Sequence, residues 1–395
     1  MRQSPLAAAL LLLFSWGVAA TAAEPSSGPV LVISEDGLGA DQFRPETMPQ
    51  LWALAKAGRR AAVRPPFPST TFVGHVTLAT GCWPEHHGVV ANSYFRAEDH
   101  QRVPVAHRAE DILREPLWVA ATRSGVKTAV YHWVGATGPW DGVAPWRMET
   151  FRLGPPDTEG LAFCDAALAQ GARLVMAYLS GSDAEGHING LKSSQLRQKL
   201  KRLDQELAPW LQRMLATYPG LRIILTADHG MAAMNHRINL PSLLEGIPTE
   251  LISHGGSAYV YLKNPNDLPS AMARLQRAGL TVWRRDRVPV RYHLGGSPRV
   301  GDLVVLAPLG TWLSQSETPG QSKAERRGRA GAHAYTPEND AMRAWLLVLG
   351  MGRGPLNEVQ AWDIAPTVGQ WLGVHWAQEP DGRPIPELVS GNEHQ

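Results

Sequence analysis

Three apolar runs of this chain lead straight into acids: Ser34-Glu35-Asp36 ends the first, Gly181-Ser182-Asp183 a later one, and Ala227-Asp228-His229 another. In open α/β sheets the ligand crevice lies outside the carboxyl ends of the strands, so acids placed there converge although they are far apart in sequence. Singly, an Asp after a strand is a helix cap or turn residue; recurrence at equivalent places is what argues for a site. Asp183 and His187 flank Gly186 at a spacing of four, which lets both reach one ion from a single turn. With Asp36, Asp228, His229 and the later His333 they supply the oxygen and nitrogen donors that suit catalytic zinc, other divalent metals being possible. Six such donors suffice for two ions sharing a substrate, and metals about 4 Å apart stabilise both the attacking and the leaving oxygen of an in-line displacement. The other histidines, among them His75, His86, His87, His132 and His254, read as core or surface residues.

The stretch Pro68-Ser69-Thr70-Thr71-Phe72 precedes a helix-like segment, 73–80, so one of its hydroxyls sits at a helix start. A capping Ser or Thr is one reading. The other is a nucleophile, because free N–H groups and the positive dipole end suit a phosphoryl group there. A Thr hydroxyl is weak until a metal or base activates it, and the donor set offers that metal.

Positioning these groups requires a sheet. The β-branched runs 30–34, 128–133, 173–179, 222–226 and 344–349 read as buried parallel strands, and 48–57, 116–123, 160–170, 194–216 and 362–372 as helices between them. That alternation predicts an α/β sandwich with a mostly parallel central sheet flanked by helices. From about 240 to 313 it breaks into short strand-like pieces (257–262, 281–285, 303–307), followed by a polar stretch, 314–330, that reads as a loop; together, about 240–330, they form an inserted cap region.

Composition excludes several classes. With 395 residues, 44% of them hydrophobic, the chain can bury a large core. Lys and Arg (38) nearly balance Asp and Glu (36), and no basic-aromatic stripe points to a nucleic-acid duplex as partner. Arg2, the apolar run 6–14 and the small residues to Ala23 have the three-part layout of a secretory signal peptide, which sets residues 1–23 apart from a catalytic domain, 24–395. An uncleaved anchor is the other reading, but the run is short for a bilayer span. Cleavage predicts a periplasmic or secreted protein without stable membrane insertion. In that oxidising setting Cys82 and Cys164 can pair, although their spacing does not demand it. Oligomeric state is not legible.

The segment Pro68 to Gly81, then Trp83-Pro84-Glu85-His86-His87-Gly88-Val89-Val90-Ala91-Asn92, closely resembles the nucleophile region of nucleotide pyrophosphatase/phosphodiesterases, the type I phosphodiesterase family of the alkaline phosphatase superfamily. Similarity continues in order through Asp36-Gly37, Asp183 to His187, Thr226 to Met231, Arg291-Tyr292-His293, Val300-Gly301-Asp302, His333 and Asp363 to Thr367. The resemblance implies an alkaline-phosphatase-like sandwich and two zinc ions, one surrounded by Asp36, Thr71, Asp228 and His229, the other by Asp183, His187 and His333. It selects Thr71 over Thr70 as nucleophile, because the family places that residue before an aromatic one, here Phe72. It implies that Asn92 donates an amide hydrogen bond to a phosphoryl oxygen, and that Phe72 and Tyr178 stack on a nucleobase or other flat leaving group.

Two departures stand out: Val73-Gly74 replaces the family's Pro-Asn, and Ala334 stands where Gly often follows the last ligand. The segment 127–135 also lacks the Lys/Arg pair that Thr-nucleophile monoesterases and phosphonoacetate hydrolases place near substrate. The expected function is hydrolysis of a nucleotide-like diester or pyrophosphate, a small-molecule substrate, through a phosphoryl-threonine intermediate. The alternatives are a phosphomonoesterase or phosphonoacetate-type hydrolase on the same metals, and a non-catalytic exported binding protein.

Overall fold

The computed structural model describes residues 28–104, 108–152, 154–316 and 330–389. Residues 1–23, read above as a signal peptide, and most of the stretch 314–330, read as a loop, lie outside the described residues. Among those described, no helix is long and apolar enough to cross a membrane.

The first strand, Val30–Glu35, is buried at every position and lies at the centre of a nine-stranded sheet. It pairs in parallel with Leu174–Leu179 on one side and Arg222–Thr226 on the other. Ser34 is level with both Tyr178 and Thr226. Because side chains alternate with period two, Asp36 and Asp228 come out of the sheet at equivalent heights. Thr128–Tyr131 and Arg147–Glu149 extend the parallel half.

On the other half Ala344–Leu349 runs antiparallel to both Arg222–Thr226 and Arg59–Arg64, which corrects the expectation that it is parallel. A six-residue run that is apolar throughout looks the same in either direction. Its direction is set by the chain before it, which comes from the ligand edge at His333 and returns across the sheet. Arg59–Arg64, absent from the sequence reading, hides its strand character behind three arginines that keep most of it half-buried.

Helices cover the sheet. Ser194–Thr217 starts where Ser193 Oγ accepts the Leu196 N–H, and buries Leu196, Leu200, Leu203, Leu207, Leu211 and Met214, one helical stripe. It packs beside Pro49–Ala55, whose Leu51 N–H donates to buried Asp204 at 2.7 Å. Thr71–Thr80 packs with Leu117–Arg123 and Ile364–Leu372 in another layer; all ten of its residues are buried, and it ends at Gly81 in the left-handed conformation.

The segment after residue 240 makes a separate four-stranded antiparallel sheet in the order Thr249–Ser253, Ser257–Leu262, Leu303–Leu306, Thr281–Arg284. A hydrophobic cluster of its own, including Leu244, Val260, Leu275 and Val305, holds it together. It docks on the main body through the Gly256 N–H to the His333 carbonyl (2.9 Å) and the Tyr259 hydroxyl to the Val90 carbonyl (2.7 Å). Cys82 and Cys164 are both buried and unpaired, and burial pushes both thiols up, Cys82 to about 11.

Candidate active site

Each acidic residue found by sequence emerges at the same edge of the sheet. Past Leu179 the chain turns at Gly181, whose φ is 54° and where a Cβ would lie 2.4 Å from the Asp36 carbonyl oxygen. Only glycine permits that approach. The turn lets the Ser182 and Asp183 N–H groups donate to that same carbonyl at 3.0 and 3.1 Å, and Asp183–Asn189 then forms a helix carrying Asp183 and His187 on successive turns. His333 arrives by another route. The short strand Gly331–Ala332 pairs with Ala232–Ala233, just past His229, and stacks the His333 ring on that of His229 at 4.0 Å.

All three imidazoles are held by Nδ1. His187 donates to the Gly331 carbonyl (2.9 Å), His229 to that of Gly230 (2.9 Å) and His333 to that of Ser69 (3.0 Å). A carbonyl only accepts, so Nδ1 carries the proton and Nε2 presents a lone pair, the arrangement that orients histidine ligands. The carboxylates are held by one oxygen each in two cases: Asp228 Oδ1 accepts the Gly37 N–H (3.1 Å), and Asp36 Oδ2 accepts the Tyr178 hydroxyl (2.8 Å). Asp36 Oδ1, Asp183 Oδ1 and Asp228 Oδ2 are buried without a hydrogen-bond partner.

The unsatisfied atoms face one another. His229 Nε2 lies 3.1 Å from Asp228 Oδ2 and 3.9 Å from Asp36 Oδ1; Asp183 Oδ1 lies 3.3 Å from His187 Nε2 and 4.0 Å from His333 Nε2. Two groups, Asp36/Asp228/His229 and Asp183/His229/His333, bring their donor atoms within 4.8 Å of one another. Acceptors crowded this closely in a dry pocket repel unless a cation lies among them. Burial, with Asp228 and Asp183 nearby, pushes the Asp36 carboxyl well up. Burial acts in the same direction on Asp183, but His187, His333 and His229 outweigh it and hold that carboxyl low. Burial and the imidazoles of His229 and His187 push His333 well down, keeping it a neutral donor. An oxygen-and-imidazole set with orphaned carboxylate oxygens fits divalent zinc-type ions. His229 stands in both geometric groups, and His187 joins the second through Asp183.

Thr71 is the first residue of its helix, and its Oγ1 lies 3.5 Å from His229 Nε2. Thr70 precedes the helix in an extended conformation with its hydroxyl buried and unpartnered, so neither hydroxyl caps the helix through its side chain. Asn92 Oδ1 accepts the Phe72 N–H at 2.9 Å, which assigns the carbonyl end of that amide and makes the other end its donor. Gly74 backs onto Asp228, where a Cβ would come within 2.8 Å of the Asp228 Cβ and carbonyl oxygen, so the departure from the family's Asn matches a close approach of helix to ligand.

Phe72 and Tyr178 do not face one another across an open slot. Both are 1% exposed, and each meets Phe151 edge-on, at 5.3 and 5.5 Å. Tyr178 instead contributes its hydroxyl to Asp36. Phe151 was invisible in the sequence because nothing local distinguishes it; it follows the edge strand Arg147–Glu149, and only the strand order brings it here. The other departure has no structural explanation: Ala334 has φ 69°, the left-handed region that favours Gly and where its methyl is strained.

The model of the type I phosphodiesterase / nucleotide pyrophosphatase family matches residues 30–336. An ectonucleotide pyrophosphatase/phosphodiesterase of Caenorhabditis elegans is 26% identical over 82% of this chain and 44% of its own length. Human ectonucleotide pyrophosphatase/phosphodiesterase family member 7 is 27% identical over 77% of this chain and 72% of its own. Venom phosphodiesterase 2 of Crotalus adamanteus is 24% identical over 85% and 44%. The chain thus spans less than half the length of the nematode and rattlesnake relatives. Among solved structures, murine ectonucleotide pyrophosphatase/phosphodiesterase 5, in an inactive form in complex with AMP, superposes with a TM-score of 0.83 at 22% identity, covering 91% of this chain and 99% of that one. This likeness fixes the fold as alkaline-phosphatase-like.

Two outcomes follow from the geometry. Tyr178→Phe keeps the ring and removes only the hydroxyl on Asp36; retention of zinc, measured by competition with a chelator, should weaken by about 10–100-fold, whereas a ring that only stacks would leave it unchanged. Ala334→Gly should raise stability in urea unfolding by up to about 1 kcal/mol; a loss would mean that the buried methyl contributes more by packing than it costs in strain.

Proposed function

This chain belongs to the type I phosphodiesterase / nucleotide pyrophosphatase family, and we propose that it hydrolyses nucleotide-like phosphodiester or pyrophosphate bonds at a two-zinc site with Thr71 as nucleophile. The observation that carries this reading is the Thr71 hydroxyl, which opens a buried helix beside the same His229 whose neighbours are the orphaned carboxylate oxygens. Divalent ions held there supply positive charge to a phosphoryl group and make a neighbouring hydroxyl more acidic. Asp36, Asp228 and His229 would hold the one nearer Thr71, and Asp183, His187 and His333 the other.

The chain's own groups do the positioning. Thr71 sits where the helix N-terminus favours negative charge. Its Oγ1 bonds to phosphorus as the bond to the leaving oxygen breaks, the hydroxyl proton passing to that oxygen, giving phosphoryl-threonine; water then attacks phosphorus and the threonine oxygen leaves, taking back a proton from the water. Asn92, its carbonyl end fixed by the Phe72 N–H, directs its amide donor at a phosphoryl oxygen. Phe72, Phe151 and Tyr178 belong to one buried apolar cluster; Phe151, at 8%, is the most exposed of the three and the ring a flat leaving group would meet. Nucleotides are the favoured class, in keeping with the names of the relatives and the AMP held by the murine structure. The relatives' names also support export.

A monoester carries an extra charge and calls for extra cations. Lys127, the one cation of segment 127–135, sits at the start of Thr128–Tyr131, the end opposite the ligand edge, with its amine over Trp146 at 3.9 Å and donating to the Gln170 carbonyl at 2.7 Å. Diesters are favoured accordingly.

Thr71→Ala should retain zinc and lose at least about 10³-fold in kcat on bis-p-nitrophenyl phosphate. Wild-type turnover in a zinc-replete Thr71→Ala protein would remove Thr71 from the mechanism, and a clear preference of the wild type for p-nitrophenyl phosphate would move the reading to a monoesterase.

A further inference from the structure

The imidazole of His75 is fully buried one helical turn beyond Thr71, and none of the steps above uses it. Its Nδ1 lies 2.7 Å from the Thr71 carbonyl oxygen and its Nε2 lies 2.8 Å from Ser34 Oγ. The carbonyl can only accept, so Nδ1 carries the proton; Nε2 is then the acceptor, and the Ser34 hydroxyl donates to it. Ser34 stands two residues before Asp36 on the same face of the central strand, level with Tyr178 and Thr226. One imidazole therefore joins the first turn of the helix that carries Thr71 to the strand that carries Asp36.

Everything around this link restrains it. The Trp133 indole N–H donates to the His75 carbonyl at 3.0 Å, and the Trp133 and Tyr178 rings meet the imidazole edge-on at 5.5 and 5.1 Å. Asp228 Oδ2 lies 3.4 Å from Nδ1, and Gly74 lets the same turn rest against Asp228. Helix attachment does not require such a group: Phe72, Val73, Val76 and Leu78 already bury apolar surface along it. Burying two polar side chains where aliphatic ones would fit costs desolvation that the hydrogen bonds only offset. What the polar link adds is direction, because hydrogen bonds at both ring nitrogens allow one ring orientation and one distance between strand and helix.

We propose that Ser34 and His75 form a positioning clamp that fixes the Thr71 hydroxyl relative to the Asp36/Asp228/His229 edge of the site. The clamp rests on the reading of Thr71 as nucleophile for its effect on turnover. Its effect on the helix start does not depend on that reading. His75 and Ser34 are positioning residues, reaching the reacting atoms through Thr71 and, from the His75 Nδ1 side, through Asp228.

The test uses Ser34→Ala, Ser34→Thr, His75→Asn and His75→Leu in the full, zinc-replete chain. Misplacing a reacting atom by about 1 Å costs about 10²-fold in rate, so His75→Leu should lose about 10²-fold in kcat on bis-p-nitrophenyl phosphate with KM within about twofold of wild type. Ser34→Ala should lose about 10-fold, being the smaller perturbation. His75→Asn, which keeps a donor near the Nδ1 position, should lie between His75→Leu and wild type, and Ser34→Thr, which keeps the hydroxyl, should restore turnover. Amide hydrogen exchange over residues 71–75 should quicken in Ser34→Ala and His75→Leu, with zinc content unchanged. Unchanged kcat and unchanged exchange in those two variants would overturn the clamp, and so would a loss of activity that tracks zinc loss. Faster exchange in a protein whose wild type cleaves no phosphoester would leave the clamp standing and overturn the nucleophile reading instead.

Discussion

Asp36 and Asp228 are buried and Asp183 is half-buried beside the imidazoles of His229 and His333, and one buried oxygen of each carboxylate has no protein hydrogen-bond partner. Leaving a single buried acceptor unsatisfied costs about 1–3 kcal/mol, more when it is charged. Three in one pocket, with ring nitrogens also presenting lone pairs, make an arrangement that protein groups alone do not stabilise. Backbone carbonyls on Nδ1 of His229 and His333 turn Nε2 of each toward the carboxylates, and burial, with the neighbouring imidazoles, disfavours a second proton on His333. A divalent cation among these donors would satisfy them, and the donor types suit zinc.

The fold's part is to hold the repelling groups in place. Parallel register levels Asp36 with Asp228, and the turn at Gly181 folds the Asp183 helix back onto the Asp36 carbonyl. Tyr178 and the Gly37 N–H each occupy one carboxylate oxygen, so the other is aimed inward. Such outer contacts orient ligands and raise their affinity, and they explain why a tyrosine hydroxyl lies so deep in an otherwise apolar wall. The Ser34–His75 link extends the same logic from the ligands to the hydroxyl between them.

Much of this was legible in the chain. Apolar runs ending in acids located the crevice edge, because strand direction places those ends together whatever lies between them. His333 was legible by residue type and through the family resemblance but not by strand position, since its place comes from the pairing of Ala332 with Ala232. The direction of Ala344–Leu349 was not legible, because burial on both faces erases the pattern that marks orientation. Arg59–Arg64 escaped because its arginines disguise an otherwise ordinary strand. Phe151 and the hydroxyl of Tyr178 escaped because their roles are contacts across strands. The family resemblance implied stacking for Tyr178; register and burial add the contact of its hydroxyl with Asp36.

The central claim is that the crowded donors hold two metal ions with Thr71 beside one of them. Anomalous X-ray scattering at the zinc edge, from crystals of the zinc-loaded protein, tests it directly. The account predicts two peaks about 4 Å apart, one among Asp36, Asp228, His229 and the Thr71 hydroxyl, the other among Asp183, His187 and His333. A single peak, or two that leave the Thr71 hydroxyl outside coordination distance, would contradict it.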